Sequence, residues 1–314
     1  MRRRPPTLVT ATAAVAILAP LLAGCEAKVY GDTAAPAGPQ LTVIAPMGTR
    51  APLPESPPDE PAATFAGLDT RAEQATREAA KAGAEVTITV LDRNTGQIVT
   101  NGNNKAMPIA SVVKLFIADD LLLQEAKGQT RLSADDRQSF DDMLRSSDDS
   151  AAEVFWNRGG GSAIVSRVTA RYGLGATTTP YDGRWYNTLS TTGDLVQYYD
   201  KLLDGSGGLP PERANIILSN LAASTPIAID GTMPDGVYPQ RFGIPEGLYS
   251  ESVAVKQGWF CCWNGGNWVH LSTGVIGPDR RYVVAIGAMQ TTDADTARAT
   301  ITHAVKTMFP GGRI

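Results

Sequence analysis

From Val86 to Val90 the chain alternates apolar and polar positions with a period of two. Val86, Ile88 and Val90 interleave with Thr87 and Thr89, the pattern of a half-buried strand. Arg93-Asn94-Thr95-Gly96 supplies turn chemistry, and Gln97 to Thr100 reads as a second short strand. Ahead of them a helical period passes through Arg71, Ala75 and Ala79, with Asp69 as the candidate cap and Gly83 as the stop. Three further strands are predicted at 253–263, 268–277 and 281–289, joined by tight turns at Asn264-Gly265-Gly266-Asn267 and Pro278-Asp279-Arg280. A last helix covers about 294–308. The region from 108 to 250 is mostly helical, broken by Gly159-Gly160-Gly161 and Pro210-Pro211. Within it the run from Val112 to Leu123 is apolar nearly all round and stops at Gly128, which predicts a buried helix. Strands at both ends with helices between them predict an α+β fold. Its parts are a five-stranded antiparallel sheet, flanking N- and C-terminal helices, and an inserted helical lobe. The natural cleft of such an arrangement lies where sheet and lobe meet.

The first 64 residues follow another pattern. Met1-Arg2-Arg3-Arg4 is basic, Thr7 to Ala23 is apolar with Pro20 inside it, and Leu22-Ala23-Gly24-Cys25 follows. A charged start, a short apolar stretch and small residues at the cut describe a secretory signal over residues 1–24. At 17 residues with an internal proline, the run is short for a membrane-spanning helix. The cysteine directly after the cut resembles a bacterial lipobox, which implies a diacylglyceryl anchor on Cys25. The expected location is the outer face of the cytoplasmic membrane, held by that lipid and exposed to the cell wall. From 25 to 64 the composition shifts to Pro and Ala, with prolines at 36, 39, 46, 52, 54, 57, 58 and 61. Such a segment buries no core and favours extended conformations. It is expected to tether a domain spanning 65–314.

That domain is long enough for one sizeable core. A net charge of −4, without a basic cluster in the mature region, argues against nucleic acid as a partner. The two histidines, His270 and His303, form no metal-ligand spacing with Cys or Asp. No metal and no cofactor are expected, and a Ser-His-Asp triad is disfavoured.

Three short segments carry the candidate chemistry. Ser111-Val112-Val113-Lys114 sets a hydroxyl and an amine three residues apart, on one helix face. A lysine held beside a serine can take its proton and activate it as a nucleophile. Taken alone the spacing is weak, and Ser111 could equally cap the helix. The second segment, Ser146-Ser147-Asp148-Asp149, and the third, Lys256-Gln257-Gly258-Trp259, follow in order. Together the three resemble the Ser-x-x-Lys, Ser-Asp-Asn and Lys-Thr-Gly motifs of class A β-lactamases and penicillin-binding proteins. Lys256-Gln257-Gly258-Trp259 followed by Cys261-Cys262 also resembles a family of alanine-rich mycobacterial lipoproteins.

The resemblance implies Ser111 as nucleophile, Lys114 as its base, Ser147 as proton relay and Lys256 as the cation that attracts a substrate carboxylate. It implies an oxyanion hole from the backbone N–H groups of Ser111 and Trp259, and a β-lactam or peptidoglycan peptide as ligand. Gly258 would allow a close approach along the strand. Two departures follow. Asp149 stands for asparagine, and an ionised aspartate accepts but cannot donate to a substrate carbonyl. Placed beside Lys114 it is expected to raise the lysine pKa. Gln257 stands for threonine and is expected to donate from its amide to the substrate. The glutamate that deacylates class A β-lactamases would fall near Arg184-Trp185-Tyr186, where tyrosine takes its place; Glu153 either joins the cleft wall or faces solvent. An acyl-serine site with slow or impaired turnover, or a non-catalytic cell-wall or partner binding module on the same fold, are the two readings left open.

Cys261 and Cys262 remain once Cys25 is lipidated. Strand neighbours point to opposite faces, and Cα atoms about 3.8 Å apart lie below the usual disulfide range. Free thiols are expected on those grounds, with a vicinal disulfide, favoured by an oxidising compartment, as the rival.

Overall fold

The structure is a computed structural model and describes residues 65–314 except Gly231, Thr232 and Pro234. The expected signal segment, Cys25 and the expected Pro/Ala-rich tether therefore lie outside the described residues. In chain order the elements begin with α1 (Leu68–Lys81), β1 (Ala84–Asp92), β2 (Gln97–Thr100), β3 (Met107–Pro108) and α2 (Lys114–Ala126). The inserted region continues with α3 (Ala134–Arg145), α4 (Asp149–Arg158), α5 (Ala163–Tyr172), β4 (Leu189–Ser190), α6 (Thr192–Asp204) and α7 (Pro211–Ala222). A hairpin of β5 (Ile227–Ile229) and β6 (Val237–Pro239) and the short α8 (Ile244–Gly247) lead back to the sheet. The chain ends with β7 (Val253–Trp263), β8 (Asn267–Ile276), β9 (Tyr282–Gln290) and α9 (Ala294–Met308).

The five long strands form one antiparallel sheet in the order β2-β1-β9-β8-β7. Alternation divides its side chains between two cores. Val86, Ile88, Val90, Val284 and Ile286 face α1 and α9, where Leu68, Ala72, Ile301 and Val305 complete an apolar cluster. Val269, Leu271, Val283 and Ala285 face the inserted lobe and pack with Val112, Phe116, Phe155 and Tyr198. The α+β architecture predicted from the pattern is the one observed.

Two local expectations change. β1 is not half-buried: apart from Glu85, every residue in it is buried. The lobe covers its polar face, where the Thr89 and Thr192 hydroxyls hydrogen-bond at 2.9 Å. Asp69 does not cap α1; Gly67, at φ 69°, takes that place and Asp69 sits in the first turn. Left-handed backbone at the cap suits glycine, and the acid still favours the helix N-terminus electrostatically.

The α2 helix is buried on nearly every side, with Lys114 through Leu123 inaccessible. Its two aspartates are satisfied from α5. Asp119 takes hydrogen bonds from Arg171 and Tyr172, and Asp120 pairs with Arg167 through both carboxylate oxygens at 2.8 and 2.7 Å. Buried acids of this kind require such partners, and they fix α2 against the lobe with Ser111 at its head.

Candidate active site

Ser111 does not begin the α-helix itself. It lies in a 3-10 turn, Ala110–Val113, that precedes α2, and Ala110 enters it at φ 47°. Ser147, between α3 and α4, is at φ 56°. Left-handed backbone is uncommon for residues with side chains, and it gathers where surrounding structure holds a site in place. Asp148 explains part of that hold: its carboxylate caps α4 by accepting from the Ala151 N–H at 2.8 Å. The next residue, Asp149, is thereby turned toward α2.

The three motifs meet. Lys114 Nζ donates to Ser111 Oγ at 2.9 Å, to the Ser147 carbonyl at 2.7 Å and to Ser147 Oγ at 3.2 Å. Lys256 Nζ donates to the same Ser147 Oγ at 2.8 Å and to the Gln257 carbonyl at 3.2 Å. Ser111, Lys114, Ser147 and Lys256 thus form one continuous hydrogen-bonded chain, with relative exposures of 6%, 0%, 1% and 1%. Gly258 brings β7 against the turn that carries Ser111. A Cβ there would stand 2.5 Å from the Ile109 carbonyl oxygen and 3.1 Å from the Ser111 nitrogen, so only glycine lets the strand and the turn approach this closely.

Asp149 Oδ1 lies 2.5 Å from Lys114 Nζ. Its charge raises the lysine pKa, as expected from the sequence, but it does not dominate. Burial pushes the Lys114 pKa down from its ordinary value, and Asp149, Asp148 and Asp230 only oppose that shift. The net direction is nonetheless downward, because desolvation of an ammonium in a dry site outweighs one partly exposed carboxylate. Burial, and then the neighbouring Lys114, hold Lys256 well below its usual range.

Two assignments shift with the geometry. Gln257 does not line the cleft. It is 1% exposed, and its amide nitrogen has no hydrogen-bond partner. Strand alternation sends it opposite Lys256. Lys256, expected to attract a substrate carboxylate, has its ammonium buried and bonded inside the site.

A cleft of about 660 Å³ opens above Ser111, between Asp149, Glu153, Trp185 and Tyr186 of the lobe and Trp259, Phe260, Cys261 and Trp268 of the sheet; Ala110, Asp230 and Met233 complete it. Glu153 belongs to this wall while also meeting solvent, and it accepts from Trp185 Nε1 at 3.1 Å. Trp185 stacks over the Lys114 amine, with its ring centroid 4.8 Å from Nζ. Tyr186 stands in the wall beside it, packed near Phe260. Asp230 accepts from Trp259 Nε1 at 2.7 Å. Neither Asp230 nor Met233 was legible in the sequence, because both come from the hairpin loop and no motif spacing marks them.

Cys261 and Cys262 form a vicinal disulfide across a cis peptide bond, with Cα atoms 3.1 Å apart. The expectation of free thiols assumed regular strand geometry. Instead the pairing of β7 with β8 shifts between Phe260 and Trp263, so the two side chains are not held on opposite faces. The bonded pair sits at the lip of the cleft. Among the described residues, no group of three or more His, Cys, Asp or Glu could hold a metal.

Comparison with known proteins agrees with this geometry. The profile of the Beta-lactamase enzyme family matches residues 70–138. Solved structures share the fold at low identity. PBP-A superposes with a TM-score of 0.63 at 17% identity, covering 81% of this chain and 97% of its own. A β-lactamase from Chitinophaga pinensis gives 0.60 at 16% identity, covering 76% and 98%. Proteins named "Putative lipoprotein LppW" from Mycobacterium tuberculosis and Mycobacterium bovis are 54% identical over 330 aligned residues, covering all of both chains. At that identity over full length, the chain belongs to the LppW family, on the fold of β-lactamases and penicillin-binding proteins.

Proposed function

We propose that this protein is an exported lipoprotein whose domain carries a slow acyl-serine site for β-lactams or peptidoglycan peptides. The observation that carries the reading is the unbroken contact from Ser111 Oγ through Lys114 Nζ and Ser147 Oγ to Lys256 Nζ. In this reading a neutral Lys114 accepts the Ser111 proton as Oγ attacks a carbonyl. The N–H groups of Ser111 and Trp259 receive the oxyanion, and Ser147 passes the proton to the leaving nitrogen while Lys256 polarises it. The C–N bond breaks and an ester on Ser111 remains. Tyr186, where a carboxylate would activate water, offers no base for its hydrolysis. Incubating the soluble domain with millimolar penicillin, followed by intact-protein mass spectrometry, tests this. A covalent adduct that Ser111→Ala abolishes supports it, and no adduct after hours overturns it.

The Asp149–Lys114 ion pair favours a second reading, a binding module on the same fold, because the carboxylate opposes loss of the lysine proton and offers no amide donor. That reading prevails if neither the parent nor Asp149→Asn is acylated. The name of the LppW relatives and the lipobox wording at Leu22-Ala23-Gly24-Cys25 support a lipid on Cys25 and a site at the outer membrane face. Cys25→Ser is expected to move the protein from the membrane fraction into the medium or to leave an uncleaved precursor. A variant that stays membrane-bound and correctly cut removes the anchor from the proposal.

A further inference from the structure

Lys114 is fully buried and contributes nothing to the cleft wall, although side chains it touches do. Its amine donates to Ser111 and Ser147 and pairs with Asp149, and the Trp185 ring lies over it with the centroid 4.8 Å away. Trp185 lines the cleft at 6% exposure, so the indole stands between the amine and the open volume. It is fixed there from α4. Trp185 Nε1 donates to Glu153 Oε2 at 3.1 Å, and Glu153 Oε1 accepts from Asn157 Nδ2 at 2.9 Å. The loop that carries the ring is tied to the same helix, through Trp156 Nε1 donating to the Gly183 carbonyl at 3.1 Å. Thr188 Oγ1 donates to the Trp185 carbonyl at 2.8 Å and closes the loop on itself. Glu153 follows Asp149 by one turn of α4, on the same face. One helix face therefore supplies the acid that pairs with the amine and the acid that anchors its cover.

We infer that Trp185 is a positioning residue for Lys114, a cover that keeps solvent off the amine, and that Glu153 is its anchor. Its use in catalysis rests on the acyl-serine reading, whereas the cover acts on the amine whether or not Ser111 reacts. A ring over an ammonium does two opposed things. Its face attracts the charged form, an effect of up to about 30-fold in the acid constant. Its bulk excludes water, and full burial disfavours the charged form by up to about 10³–10⁵-fold. Exclusion is the larger effect, so the cover favours the free base. The charged neighbours of the amine are Asp148 and Asp149 beside and on α4, Asp230 from the loop between β5 and β6, and Lys256 from β7. The three acids oppose loss of the proton, and Lys256 favours it. With the cover removed, water hydrates the ammonium beside Asp149, and the lysine keeps its proton to higher pH.

The test reads Lys114 directly. In the full chain labelled with carbon-13 at lysine Cε, an NMR titration follows the Lys114 signal, assigned with Lys114→Arg. Trp185→Ala is expected to raise its midpoint by at least about one pH unit, since water then reaches the amine. Glu153→Ala, which frees the ring without removing it, should raise the midpoint by a smaller amount. Glu153→Gln keeps an acceptor for the indole N–H and should return the midpoint to the parental value. Trp185 is buried, so its loss risks the fold; Glu153 is exposed, and its two variants carry the test if Trp185→Ala does not fold. An unchanged or lowered midpoint in folded Trp185→Ala overturns the inference. So does a Glu153→Ala protein whose Tm falls while its titration stays parental, or a Glu153→Gln midpoint that matches Glu153→Ala. The titration needs no ligand, so it decides the role of the cover even if penicillin never labels Ser111. Where labelling does occur, a rise of about one unit slows it about tenfold at a pH below the midpoint.

Discussion

Lys114 is pulled two ways, and the outcome decides what the site can do. Burial lowers its pKa while Asp149, 2.5 Å away, raises it. Asp149→Asn removes the largest opposing influence, so the lysine pKa falls further and a larger fraction is free base at neutral pH. Each unit of that fall multiplies the free base about tenfold while the amine is still mostly protonated. The amide also regains a donor for a substrate carbonyl. Penicillin is expected to acylate Ser111 in Asp149→Asn at least several times faster than in the parent, with the rising limb of the pH–rate profile displaced to lower pH. Mass-spectrometric time courses between pH 6 and 9 would measure both. An unchanged rate and profile would show that Asp149 does not set the state of Lys114. The motif residues were legible one by one in the sequence. The sign of the Lys114 shift was not, because spacing shows a neighbour's charge but not how much water the site excludes.

At the level of elements, the approach of β7 to the turn before α2 makes the site. In the proposed acyl-serine reading Ser111 and Trp259 share an oxyanion only if the strand backbone lies against the turn, and Gly258 permits that approach. A methyl group in Gly258→Ala would meet the Ile109 carbonyl oxygen at 2.5 Å and the Ala110 Cβ at 3.1 Å. Backbone must then move. Overpacking of this kind costs about 1–3 kcal/mol, read as a fall of several degrees in Tm, and acylation should be lost even where the protein stays folded. Calorimetry together with penicillin labelling checks both; a variant with parental Tm and parental labelling would show that the strand has slack. The predicted strands at both ends and the closing helix agree with the observed elements within a residue or two. The register shift between Phe260 and Trp263 was not visible, and with it went the disulfide. Alternation assumes regular pairing, and the turn partner that breaks it lies on another strand.

Across the whole molecule the sheet is a wall between two cores, and polar groups trapped within it govern the response to pH. His270 on β8 is fully buried, bonded to the Tyr238 hydroxyl at 2.7 Å and packed against Phe242 and Trp268. Burial, aided by Arg298, brings its pKa down from 6.5 to about 3. Between those values the unfolded chain binds a proton that the native protein refuses. The stability involved is therefore fully present above about pH 6.5 and is lost as pH falls toward 3, with a slope of up to about 1.4 kcal/mol per pH unit. His270→Gln should flatten that part of the curve relative to the parent. Urea unfolding at pH 7, 6, 5 and 4 would read it, and parallel curves for the two proteins would exclude His270 as the cause.

The sequence alone determined what depends on near neighbours along the chain: which stretches are strands or helices, that strands bracket a helical insert, and that three motifs lie in the order of a known family. Those features rest on periods of two and 3.6 and on short spacings, which any single segment displays. Only the tertiary structure decided that β1 is covered on both faces, that Gln257 turns away from the cleft, and that Lys256 is sealed inside. The acid-lined, aromatic surface above Ser111 also appeared only there, from Glu153, Trp185, Asp230 and Trp268. These depend on which distant segment comes to rest against which, and so on the exclusion of water and the sum of charges at a place, which no local pattern encodes.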